Sequence, residues 1–308
     1  MEDKMKLGLL TSILDGLDFP EVIDIASDIG YKCLEVACWP KGNSSRRYAG
    51  VTHIDVNTLN PKKIDEINLH TSRKDIQISA LAYYPNMLNE NLAERQMHID
   101  HIKKLIENVH HFGAETITSF IGRVQNLPVD ENLPIVKEIW LPILDHAEKY
   151  NVKIAIENCP MYFGKDQWPG GQNLMTSPDN WNMILDMLDS DKLGINYDPS
   201  HFIWQQIDYI QPLYEFKDKI FHVHFKDIKL YLDRLHKVGV LAYPLEYMAP
   251  KLPGLGDINW GQFISALNDI GFTGNACVEV EDRAYENSRE SILDSIRLSY
   301  RYLKQFIE

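Results

Sequence analysis

Eight short runs of apolar, mostly β-branched residues punctuate the chain, and segments with helical spacing separate them. The runs are LGLLTS from Leu7, KCLEVA from Lys32, ISALAYY from Ile78, TITSFIG from Thr116, KIAIEN from Lys153, LGINYD from Leu193, IFHVHF from Ile220 and ACVEVE from Ala276. Between the first two, FPEVIDIASDIG puts Val22, Ile23, Ala26 and Ile29 on one stripe. From Asn91 to Phe112 apolar residues recur at helical spacing and stop near Gly113. WGQFISALNDIG repeats the pattern, with Asn259 placed to cap its start and Gly271 to stop it, and a last helix is expected from about Ser288 to Phe306. Strands alternating with helices imply a parallel sheet, and strands apolar nearly throughout imply one covered on both faces. Eight such units in 308 residues favour an α/β fold, a closed (β/α)8 TIM barrel forming a single domain over 1–308. An open doubly wound sheet is disfavoured, because no GxGxxG follows the first strand.

Three connections are too long for plain turns. They follow the second strand (CWPKGNSSRRYAGVTHIDVNTLNP), the fifth (CPMYFGKDQWPGGQNLMTSP) and the seventh (Ile228 to about Asn259). All three should gather at the carboxyl face of the barrel, where such folds place their sites, and the last is expected to set substrate choice.

Charge narrows the chemistry. With 44 acidic against 31 basic residues the net charge is −13, which opposes binding to a phosphate backbone and argues against a nucleic-acid partner. A small anionic substrate held by local basic residues stays open, with Arg46, Arg47 and Arg123 as candidates. Cys33, Cys38, Cys159 and Cys277 form no CxxC pair and read as buried free thiols. The N-terminal MEDKMKLGLL lacks the pattern of a secretory signal, and no segment approaches about eighteen apolar residues, so a cytoplasmic protein with no membrane partner is expected.

Against this background four polar groups stand out. Glu157, Asp198, His224 and Glu279 sit near the ends of four successive strand runs. A carboxylate there is costly unless something pairs with it, and two Glu, one Asp and one His converging would suit one divalent ion: manganese, zinc, cobalt or magnesium. Residues two apart on a strand share a direction, so His222, His224 and Lys226 point the same way, as do Glu279 and Glu281. His222 is expected one layer deeper, as support.

The segments IAIEN, NYDPSH, HVHFKD, PGLGDINW and VEVED resemble the xylose isomerase-like superfamily, most specifically from Lys153 to Arg283. This resemblance implies that Glu157, Asp198, His224 and Glu279 hold the metal and that His201 belongs to the same site. The ketose 3-epimerases of that superfamily usually carry an Arg six residues after the strand-seven His, where this chain has Leu230.

What the resemblance implies is a metal-dependent sugar or sugar phosphate isomerase or epimerase. A divalent ion on vicinal substrate oxygens acidifies the neighbouring C–H and stabilises the enediolate, while Glu157 and Glu279 act as the acid/base pair. The partner is then a small carbohydrate, with a homo-oligomer possible. His201 either bonds a substrate hydroxyl or caps helix six. His53, Trp39, Tyr84 and Trp168 are further candidate substrate contacts. Glu281, Asp282 and Arg283 suit a structural salt bridge at least as well as catalysis. One alternative is a lyase or epimerase acting on 3-keto glycosides, since the long loops suit a substrate larger than a monosaccharide. A remote one is an abasic-site nuclease of the endonuclease IV type. That reading would need further ligands, for which this chain offers only Asp233, His236 and, on the third strand, Tyr84.

Overall fold

The computed structural model describes residues 4–42, 48–162 and 170–307. Trp168, Arg46 and Arg47 lie outside them. Eight parallel strands close a barrel: β1 (Lys6–Leu10), β2 (Cys33–Ala37), β3 (Gln77–Ala82), β4 (Thr116–Ser119), β5 (Lys153–Glu157), β6 (Leu193–Tyr197), β7 (Ile220–Phe225) and, after a two-stranded hairpin of β8 (Asp227–Leu230) and β9 (Met248–Lys251), β10 (Asn275–Val278). Pairing of Lys6 with Asn275 through Leu9 with Val278 closes the ring. All eight expected strands are present. Most of their residues are buried on both faces, because helices cover the outside and side chains fill the inside.

The covering helices are α1 (Phe19–Ile29), α2 (Pro61–Arg73), α3 (Leu92–Asn108), α4 (Val129–Tyr150), α5 (Pro178–Leu188), the short α6 (Ser200–Gln205) and α7 (Gln211–Glu215), α8 (Leu232–Val238) inside the hairpin, α9 (Trp260–Asp269) and α10 (Arg289–Ile307). Their starts are set by short polar caps. Asp18, Asn60, Asn91, Ser177 and Asn259 each accept a backbone N–H of the first turn, and Pro20, Pro61 and Pro178 occupy first-turn positions where no N–H is needed. The expected helix from Asn91 ends as α3, followed by one tight turn (Val109–Phe112) before Gly113 at φ 70°. Among the described residues no helix is long and apolar enough to cross a membrane.

The hairpin is the element that the pattern did not show. Its strands are four residues each, and β9 contains Pro250, which cannot donate to a ladder. One carboxylate anchors its base. Asp227 accepts from the backbone N–H of Ile228 (2.8 Å), Gly254 (2.9 Å) and Ile258 (3.2 Å) and from the Trp260 indole (2.8 Å). A Cβ at Gly256 would overlap that carboxylate, which explains the glycine in the PGLGD turn. The chain thus returns to the barrel at a fixed point.

Candidate metal centre and substrate site

Four side chains from neighbouring strand ends converge at the carboxyl mouth. One ligand atom each from Glu157, Asp198, His224 and Glu279 lies within 4.8 Å of the other three. The Asn158 amide clamps two of these strand ends together. Its Nδ2 donates to the Asp198 carbonyl and its Oδ1 accepts from the Asp198 N–H, both at 2.8 Å. Asn173 holds the start of the next loop, donating to the Glu157 and Cys159 carbonyls at 2.8 Å each. Asp198 divides its oxygens: Oδ1 accepts from the Ser200 N–H (2.8 Å) and so caps α6, while Oδ2 faces the centre.

Glu157 Oε1, Asp198 Oδ2, His201 Nε2 and His224 Nδ1 are buried and make no hydrogen bond. Buried polar atoms without hydrogen bonds are rare and costly, and these have ion-pair neighbours only. Here they gather round one point, with His201 Nε2 at 3.4 Å from Glu157 and 3.3 Å from Asp198, and His224 Nδ1 at 3.6 Å from Glu157 and 3.4 Å from Glu279. Three carboxylates and an imidazole make a hard, oxygen-rich donor set, which fits a divalent cation.

Lys226, on the same face of its strand as His224, supplies positive charge to this cluster. Its buried ammonium lies 2.6 Å from Glu279, 3.0 Å from Asp198, 3.2 Å from Glu281 and 3.7 Å from Glu157. Burial would push Asp198 up, but Lys226 and His201 outweigh it and hold it at about 2. Burial is likewise overruled at Glu157, which Lys226 and His224 keep well below the usual carboxylate range. At Glu279 burial prevails, helped by Glu157 and Glu281, and the carboxyl is raised. The two glutamates are therefore pushed in opposite directions.

Below the donors lies a buried polar network built on Glu35, a residue that sequence reasoning passed over. Its Oε2 is 2.7 Å from His224 Nε2, and its Oε1 accepts from Tyr84 (2.5 Å) and Thr118 (2.6 Å). With Nε2 bonded to Glu35, Nδ1 of His224 is directed toward the centre. The signal was a single carboxylate inside the otherwise apolar run KCLEVA. His222 sits deeper, between Asn196 Oδ1 (3.0 Å) and Ser79 Oγ (3.3 Å).

The other candidates divide. Trp39 and Tyr84 line the cavity above Glu157 and Glu279, together with Leu10 and Phe120. His201 faces the carboxylates, while the Asp198 side chain caps α6. His53 lies elsewhere. Its Nδ1 is 2.9 Å from Thr11 Oγ1, its Nε2 3.3 Å from the Leu14 carbonyl, and it borders a separate cavity beside α1 and α2. These bonds pin the loop after β2 to the turn after β1. Arg123 donates to the Gly170 (2.6 Å) and Leu127 (3.2 Å) carbonyls, a loop-bracing role. Asp282 pairs with Lys251 at 3.2 Å. Asp233 and His236 are exposed on α8 and join none of the candidate metal clusters among the described residues.

With this geometry established, similarity to other proteins becomes interpretable. The profile described as xylose isomerase-like TIM barrel matches residues 23–304. The chain belongs to that family. The inosose dehydratase of Clostridium tetani is 22% identical, over 94% of this chain and 94% of its own. Among solved structures, the IolI protein with a bound zinc atom superposes with a TM-score of 0.71 at 19% identity, covering 98% of this chain and 99% of that one. The 3-keto-D-glucoside 4-epimerase YcjR of E. coli gives 0.69 at 16%, covering 98% and 100%.

Proposed function

We propose that this protein is a divalent-metal-dependent isomerase or epimerase that moves a proton beside the carbonyl of a keto sugar. The observation that carries the reading is the pair Glu157 and Glu279, which approach His224 Nδ1 at 3.6 and 3.4 Å and converge with Asp198 on one centre. Glu157, Asp198, His224 and Glu279 would hold the ion. When bound, the ion supplies acidity to the C–H next to the carbonyl and stabilises the negative charge that develops. Glu157, held ionised, takes the proton, and Glu279 delivers one to the opposite face or to the neighbouring carbon. His201, at the edge of the donor set, is placed to bond a substrate hydroxyl. Trp39, Tyr84 and Phe120 wall off water above the reacting carbons.

A second reading shares the first half of this sequence. The likeness to inosose dehydratases favours loss of a β-hydroxyl after proton abstraction. The C–H proton goes to Glu157, the C–O bond breaks, and the hydroxyl takes a proton from Glu279 and leaves as water.

One experiment separates the outcomes. Manganese-loaded protein is incubated in deuterated buffer with a panel of keto sugars and keto polyols, and the products are followed by NMR. Epimerase or isomerase action gives a product carrying deuterium at the carbon α to the carbonyl. Elimination gives an unsaturated ketone. Glu279→Gln should lose roughly two to four decades of rate. Retained turnover in that variant would sink the assignment of the acid.

A further inference from the structure

The space directly over the donor set is small, about 60 Å³, room for a handful of waters and for the reacting end of a substrate alone. Beside it lies a chamber of about 530 Å³, within the range of sites that enclose a whole small molecule. Cys159 and Glu281 border both spaces, and His201, in contact with Glu157 and Asp198, lines the chamber. A molecule whose reacting carbons lie over Glu157 and Glu279 therefore has this chamber open to its remainder.

The chamber's walls say what that remainder is. Tyr162 and Trp204 meet edge to face with centroids 5.9 Å apart, and Tyr243 and Met248 belong to the same lining. Aromatic faces and edges of this kind receive the apolar C–H surface of a sugar ring or an aromatic ring. The charges nearby are largely engaged: Lys251 is paired with Asp282 at 3.2 Å and Glu281 with Lys226 at 3.2 Å, leaving Arg283 as the exposed cation of the lining. Nothing in that arrangement selects a dianion, so a neutral ring fits the chamber better than a phosphate.

We propose that this chamber is a subsite for the second ring of a glycoside, the aglycone side of a keto sugar whose reacting ring lies over the candidate metal donors. The proposal rests on the reading of the reaction given above and narrows its substrate class from free or phosphorylated sugars to glycosides.

The test is calorimetric binding to the manganese-loaded full chain, with four probes: methyl β-glucoside, cellobiose, 4-nitrophenyl β-glucoside and glucose 6-phosphate. Cellobiose or the nitrophenyl glucoside should bind at least tenfold more tightly than the methyl glucoside, and which of them gains shows whether the second ring is sugar or aromatic. Tyr243→Ala and Tyr162→Ala should each remove most of that gain and leave methyl glucoside affinity unchanged. Equal affinities for the methyl and ring-bearing glycosides, a preference for glucose 6-phosphate, or equal losses for all probes in the variants would overturn the subsite. Deuterium exchange on keto sugars is scored separately. A ring-dependent gain without any exchange leaves the subsite standing and removes the proposed reaction. Exchange on free keto sugars with no glycoside bound does the reverse.

Discussion

His224 is held from both sides: its Nε2 lies 2.7 Å from Oε2 of the fully buried Glu35, and its Nδ1 faces Glu157 and Glu279. The ring is thereby fixed in orientation, with Nδ1 directed at the carboxylates. Partners of this kind commonly contribute about 10–100-fold to metal affinity. Glu35→Gln keeps the size and an acceptor oxygen but loses the charge. It should weaken manganese or zinc binding by about that factor, while far-ultraviolet circular dichroism stays native. Unchanged affinity by competition with a chelating dye would show that the neighbouring carboxylates orient the imidazole without it.

Lys226 and a divalent ion address the same carboxylates. In chelator, Lys226→Met leaves Asp198, Glu157, Glu279 and Glu281 without their shared ammonium. Removing one partner from a buried ion pair costs about 3–5 kcal/mol. The variant should melt well below the wild type in chelator and regain most of the difference on saturation with metal. A loss of equal size in both conditions would mean that Lys226 acts through packing.

One ion per chain is expected from elemental analysis after mild chelation and re-addition. Glu157→Ala combined with Asp198→Ala should abolish that uptake, since it removes two of the four donors. Full uptake in the double variant would place the ion elsewhere.

The cysteines give a test that is independent of turnover, run in chelator because Cys159 lies close enough to Glu157 and His201 to share an ion with them. Cys33, Cys38 and Cys277 are buried, and burial raises the Cys38 and Cys277 thiols well above their usual range. Cys159 is half-buried and borders both the small cavity and the chamber. Under native conditions iodoacetamide should label Cys159 first, as read by peptide mass spectrometry. Labelling of Cys277 ahead of it would contradict the closed barrel at β10.

The barrel was legible because most strand runs are apolar nearly throughout and five of the helices begin at a short polar cap. The convergence of Glu157, Asp198, His224 and Glu279 was legible for a related reason: each stands at the end of an apolar run, and the four runs are successive. Glu35 was harder to see because it lies inside a run, and its partners Tyr84, Thr118 and His224 come from three other strands brought close only by closure of the ring. Lys226 could be oriented by strand alternation, but nothing local showed that four carboxylates surround it. His53 illustrates the opposite problem. A long loop's position along the chain places it near the mouth, yet its path, fixed by Thr11 and Leu14, takes the ring to the outside. The β8–β9 hairpin escaped notice because two strands of four residues, one with a proline, are too short for a period to emerge.

Shortening the hairpin tests its separation from the barrel. Replacing residues 232–246 by a short Gly-Ser bridge keeps the paired stem from Asp227–Lys251 to Leu230–Met248. Loop length contributes to chain entropy only weakly, so barrel melting and metal uptake should be preserved. Affinity for ring-bearing glycosides should fall, because Tyr243 is removed. Light scattering on the same variant shows whether the exposed Leu241 and Val240 also join copies of the chain, in which case the mass would drop.

The anchoring of Asp227 has a consequence for how such a protein diversifies. Lys226 and Asp227 are consecutive at the junction of β7 and β8, and their side chains diverge, one into the cluster of carboxylates and the other into the turn that brings the chain back to the barrel. One dipeptide thus fixes the chemistry and also seals the stem of the hairpin. Everything between Leu230 and Met248 becomes an exchangeable cassette. Its length and side chains can be rewritten to reshape the neighbouring wall for a new ligand, while the spacing of Glu157, Asp198, His224 and Glu279 is inherited unchanged.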